Sequence, residues 1–70
     1  MKSIGEEFGI NVKNKRKELG MSQQGLAEEC DLDRGTIVLI ENGSSNATLN
    51  TIATIAGVLG LQPSELLKTD

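Results

Sequence analysis

The apolar positions of this chain fall into short helical repeats, broken by glycines and small polar residues. Phe8, Val12 and Leu19 recur at i, i+4 and i+11, the spacing of one helix face. Leu26, Ala27 and Cys30 keep the i, i+1, i+4 spacing of a buried stripe, with Leu32 just beyond it. Ile37 and Ile40 stand three apart on a third segment. A fourth stripe runs through Leu49, Ile52, Ile55, Ala56 and Leu59, and Leu66 and Leu67 end the pattern.

Capping signals sit at the joints of these repeats. Ser3-Ile4-Gly5-Glu6 has the capping-box spacing of a helix start. Gly5 and Gly9 each cost a helix roughly 1 kcal/mol relative to Ala, so the first turns are expected to fray, with firm helix from about Ile10. Leu19-Gly20-Met21 reads as a helix end with glycine in the left-handed conformation. Ser22 then caps a second helix over Gln23–Cys30, and Asp33 a third over Arg34–Glu41, with Asp31 in the turn between them. Asn42-Gly43 ends the third helix, and Ser44, Ser45 and Asn46 form a polar loop. Thr48 caps the fourth helix, Leu59-Gly60-Leu61 repeats the glycine ending, and Pro63 opens a short fifth helix.

Composition supports one compact all-α domain spanning 1–70. Hydrophobic residues make up 37% of the chain and only 1% is aromatic, too little for the aromatic and β-branched alternation of sheets. No apolar run approaches the ~20 residues of a membrane span, and the N-terminus lacks the apolar core of a signal peptide. A cytoplasmic protein is expected. Cys30 is the single cysteine, so no internal disulfide can form. The net charge of −3 argues against a generally sticky polyanion binder. Charge is nevertheless uneven. Lys13, Lys15, Arg16 and Lys17 cluster late in the first helix, while Glu28, Glu29, Asp31 and Asp33 make the centre acidic. That basic cluster is either a phosphate-binding face or a solvated helix surface.

Gln23–Asn42 reads as two short helices joined by a tight turn, with small Ala27 where crossing helices come closest. With the other helices placed, the chain resembles the phage repressor and Cro family of five-helix, lambda-repressor-like DNA-binding domains. The resemblance covers about Phe8–Leu67. Its parts occur in order: Lys15-Arg16-Lys17-Glu18-Leu19-Gly20, Met21-Ser22-Gln23, Leu26-Ala27-Glu28, Thr36-Ile37, Ile40-Glu41-Asn42-Gly43, Ile55-Ala56, Leu59-Gly60 and Ser64-Glu65-Leu66-Leu67.

The resemblance implies roles. Arg16 matches a residue that forms a largely buried ion pair with the glutamate at Glu41. Gln23 matches a phosphate contact at a helix N-terminus, where free N–H groups and the dipole favour an anion; it also suits a merely solvated first turn. Asn42 matches another phosphate contact, or acts only as a helix terminator. Ser44, Lys13 and Lys15 complete the phosphate candidates. Arg34, Gly35, Thr36 and Leu39 match the outward positions of the recognition helix that enters the major groove. Val38 joins them as a base-contact candidate.

Several positions depart from the family pattern. Asp31 stands where glycine is usual, and Asp can visit the left-handed region at some cost. Gly25 and Gly35 interrupt the short helices; Gly35 either lets backbone approach the bases or is simply tolerated. Val38 and Leu39 replace commoner polar residues and suit either thymine methyl groups or a protein-binding patch. Ala47 replaces a common proline, and the loop Ser44–Asn46 has no basic residue for the minor groove.

The expected function is a sequence-specific transcriptional regulator binding a palindromic double-stranded DNA operator as a homodimer. Val58, Leu61 and Leu67 are expected at the dimer interface, because they exceed what a short last helix needs for docking. The alternative is a protein-interaction module on the same fold, antitoxin-like or an anti-regulator, with a protein partner and weak DNA binding. Without His, Tyr, a metal-ligand cluster or a phosphate-cradling loop, no enzyme activity, metal or cofactor is expected.

Overall fold

The computed structural model describes residues 3–44 and 47–68. Among them the chain forms α1 (Ile4–Glu18), α2 (Gln23–Cys30), α3 (Arg34–Glu41), α4 (Leu49–Leu59) and α5 (Pro63–Leu66). The loop residues Ser45 and Asn46 lie outside the described residues.

Local chemistry sets the helix ends. Ser3 Oγ accepts from the Glu6 N–H and the Glu6 carboxylate accepts from the Ser3 N–H, closing a capping box. Ser22 and Thr48 each cap their helix through the side chain. Asp33 occupies the N-cap of α3, but its side chain makes no capping bond. Its carbonyl instead accepts from the N–H groups of Thr36 and Ile37.

Helices α1 to α4 end alike, with a backbone N–H reaching back five residues: Met21 to Arg16, Leu32 to Ala27, Ser44 to Leu39 and Leu61 to Ala56. This ending needs one left-handed residue. Gly20, Gly43 and Gly60 supply it, and Asp31 does so at φ 57°, the one non-glycine with positive φ among the described residues. Met21, Leu32 and Leu61, one step past each turn, pack against the core.

That core joins Phe8 and Val12 of α1, Leu26, Ala27 and Cys30 of α2, and Ile37 and Ile40 of α3 to Ile52, Ile55, Ala56 and Leu59 of α4 and Leu66 of α5. Two stripe members fall outside it. Leu19 is 48% exposed and Leu49 is 82% exposed. Leu19 is the C-cap of α1 and Leu49 the first residue of α4. At a helix end the right period does not guarantee a neighbouring element to pack against.

The start of α1 also differs from expectation. It is helical from Ile4, and Gly9 is buried rather than a weak point. A Cβ at Gly9 would overlap the carbonyl oxygen of Ile40 and press on that of Glu41 at 3.1 Å. The missing side chain lets α1 lie directly on the C-terminal turn of α3. Gly9 follows Phe8 and precedes Val12 just as Ala27 follows Leu26 and precedes Cys30, which is the signal by which the sequence marks it as a crossing point.

Candidate nucleic-acid interface

Helix α3 buries Ile37 and Ile40 and turns its other side outward. Arg34 and Gly35 are exposed, and Thr36 and Val38 half-buried. Leu39 is 51% exposed. The base-contact candidates therefore divide. Arg34, Gly35 and Leu39 share the open side, while Thr36 and Val38 lie at its edge. A Cβ at Gly35 would meet nothing within 4 Å, so the fold does not require glycine there.

Arg16 and Glu41 meet behind this helix. Arg16 Nε donates to Glu41 Oε2 at 2.7 Å and Nη2 donates to Oε1 at 3.0 Å, a bidentate pair. Arg16 Nη1 donates to the Met21 carbonyl at 2.8 Å. The Glu41 side chain is 2% exposed and that of Arg16 9%. The hydrogen bond to Glu41 raises the Arg16 pKa, against the opposing effect of burial. Among the described residues no buried side-chain nitrogen or oxygen lacks a hydrogen-bond partner. Such satisfaction is what makes a buried charge tolerable.

Gln23 has a place that sequence reasoning missed. Its Nε2 donates to Glu41 Oε1 at 3.2 Å, and its Oε1 accepts from Arg34 Nη2 at 3.5 Å. The first residue of α2 thus links the buried pair to the first residue of α3. Nothing in the spacing of residues 23, 34 and 41 along the chain announces this link, because it depends on how two helices cross.

The other candidates scatter. Asn42 and Ser44 are exposed just past the end of α3. Lys13 is exposed, whereas Lys15 Nζ binds Glu18 at 3.1 Å and lines an open groove between α1 and the C-terminal segment. Leu61 lines that same groove. The basic cluster is thereby divided: Arg16 reaches inward to Glu41, Lys15 is paired with Glu18 at the groove, and Lys17 is exposed. Val58, Leu61 and Leu67 are half-buried and pack on the core of their own chain.

A helix-turn-helix family model matches residues 12–66, which includes α2, the turn, α3 and α4. The chain belongs to the helix-turn-helix family. Among its relatives is the control protein C.BamHI of Bacillus amyloliquefaciens, 46% identical over 61 residues, covering 86% of this chain and 75% of that protein. The control protein C.MunI of a Mycoplasma species is 40% identical over 67 residues, covering 94% and 90% of the two chains. Among solved structures, the restriction-modification controller protein C.AhdI from Aeromonas hydrophila superposes with a TM-score of 0.85. It is 34% identical, and the match covers 89% of this chain and 94% of that one.

Among the described residues, no helix is long and apolar enough to cross a membrane, and no group of His, Cys, Asp and Glu could hold a metal ion.

Proposed function

We infer that this protein is a sequence-specific DNA-binding transcriptional regulator, a reading supported by its helix-turn-helix family and by its likeness to relatives named control and controller proteins. The observation that carries the reading is the outward face of α3, with Arg34 exposed at its first residue and Ile37 and Ile40 holding its back to the core. In the major groove, Arg34 takes guanine O6 and N7, Thr36 meets a neighbouring base edge, and Leu39 meets thymine methyl groups. Gln23, Asn42, Ser44 and Lys13 donate to phosphates and set register. Gln23 retains one amide hydrogen for this after binding Glu41. Lys15 contributes weakly, because Glu18 competes for it.

The chain acts as one domain and as a symmetric homodimer, paired through Val58, Leu61 and Leu67. Pairing places two α3 helices on half-sites about one helical turn, ~34 Å, apart on a palindromic operator. The protein is cytoplasmic, not an enzyme, and uses no cofactor.

Selecting bound duplexes from a random pool tests all of this together. A palindromic consensus is expected, with a guanine preference that Arg34→Ala relaxes at a cost of ~1–3 kcal/mol. With few basic residues beside α3, the salt dependence should be shallow. If no duplex is enriched at low salt, the exposed Leu39 makes α3 a protein-binding face instead. If sedimentation shows only monomer at high micromolar concentration, with and without the selected DNA, the dimer is wrong.

A further inference from the structure

Glu41 is buried behind α3, yet its carboxylate governs the side chain that faces outward. A carboxylate only accepts hydrogen bonds. Its Oε1 accepts from Arg16 Nη2 at 3.0 Å and from Gln23 Nε2 at 3.2 Å. This fixes which way the Gln23 amide faces: NH2 inward to Glu41, carbonyl oxygen outward to Arg34. The reversed amide would set its NH2 against the Arg34 guanidinium, donor facing donor.

We propose that Glu41 is a positioning residue for base recognition: through Gln23 it aims an acceptor at Arg34 and biases the guanidinium toward one place at the start of α3. The proposal rests on the assignment of Arg34 as a base-reading residue above. Donation converges on Glu41 from both ends of the chain of contacts. Arg34 donates to Gln23, Gln23 donates to Glu41, and the carboxylate receives Arg16 from the far side. At 3.5 Å the outermost link is long for a hydrogen bond. It therefore biases the rotamer of Arg34 rather than locking it. A side chain held near its reading position loses less freedom when it meets the base.

Glu41→Gln reverses the polarity. A glutamine whose Oε1 takes Arg16 turns its NH2 to Gln23, and Gln23 must then turn its own NH2 toward Arg34. Gln23→Leu removes the link at a half-buried position in the first turn of α2 while leaving both Arg16–Glu41 bonds in place, and it carries the test if Glu41→Gln does not fold.

The measurement is base preference, the ratio of affinities for the selected duplex and for one substituted at the Arg34 base pair. It is made below each variant's thermal midpoint, with helicity checked by circular dichroism. Both variants should lower this ratio about two- to tenfold, the worth of one ordinary hydrogen bond. In an Arg34→Ala background neither should lower it further. Ile55→Ala, which loosens the core away from this network, should leave the ratio unchanged.

Wild-type preference in Gln23→Leu, or in a folded Glu41→Gln, would overturn the proposal. So would a loss of preference that persists in the Arg34→Ala background, or one reproduced by Ile55→Ala. If Arg34→Ala itself leaves the ratio unchanged, the base-reading assignment fails, and the positioning role falls with it. Loss in the two variants that vanishes without Arg34 is the result expected.

Discussion

The seam between α1 and α3 and the outer face of α4 each contain a glycine within a helix, and the two glycines sit in opposite surroundings. At Gly9 an added Cβ would run into the carbonyl oxygen of Ile40, whereas at Gly57 it would meet nothing within 4 Å. The seam also holds a buried, bidentate ion pair. Helix α4, sequence LNTIATIAGVL, carries no charge, and its outer side shows Leu49, Ala53 and Gly57 to solvent. Two ways of holding a helix are visible here. The seam relies on close backbone approach and fixed hydrogen-bond geometry, which tolerate little change. Helix α4 relies on periodic apolar burial through Ile52, Ile55, Ala56 and Leu59, which leaves its outer side unconstrained by the fold. The exacting seam lies directly behind the recognition helix, so the orientation of α3 is set where tolerance is lowest.

Breaking the ion pair should have the largest effect on this contrast. Arg16→Met strands Glu41 in the seam and should cost ~3–5 kcal/mol. The neighbouring Lys17→Met, on the exposed side of the same helix, should barely move the thermal midpoint. Equal small shifts in the two melting curves would mean the seam is no more demanding than the surface.

The glycines give a sharper test, because the same substitution should change sign. Gly9→Ala must push α1 off α3, and overpacking of this kind costs ~1–3 kcal/mol. Gly57→Ala adds helix propensity without a clash and should stabilise by up to ~1 kcal/mol. Urea unfolding of both variants, at concentrations too low for association, decides it; destabilisation by Gly57→Ala would show that the outer face of α4 is constrained after all.

Gly35→Ala takes the comparison to the recognition helix. Its open surroundings predict a gain of ~0.5–1 kcal/mol for the free domain. If the backbone approaches the bases there, binding to the selected duplex weakens at the same time. A gain in stability with unchanged affinity would mean glycine is merely tolerated at this position.

The smallest effect concerns Cys30 on α2. Burial, assisted by the charge of Glu29, pushes its thiol pKa up. The unfolded chain then ionises at lower pH than the folded one. The stability this contributes is complete below the ordinary thiol range and is lost as pH rises through the folded-state value. Wild type should lose stability relative to Cys30→Ala only on the alkaline side, as followed by denaturant midpoints against pH; parallel profiles would show that the thiol titrates alike in both states.

The order of the five helices and the bounds of α2 and α3 were legible in the sequence, because capping, proline placement and glycine endings act within one turn of chain; the firm start of α1 at Ile4 was not, because glycine propensity alone argues for fraying. The left-handed turn at Asp31 was legible for the same reason. The pairing of Arg16 with Glu41 was legible only through resemblance to a family, since nothing local joins residues 25 apart. Tertiary structure alone decided the rest. It left Leu19 and Leu49 outside the core. It also joined Gln23 to both Glu41 and Arg34. Periodicity specifies which face of a helix is apolar, but not whether another element reaches that face at its ends. Likewise, a side chain's type states what hydrogen bonds it can make, and only the crossing of distant helices decides which partner it finds.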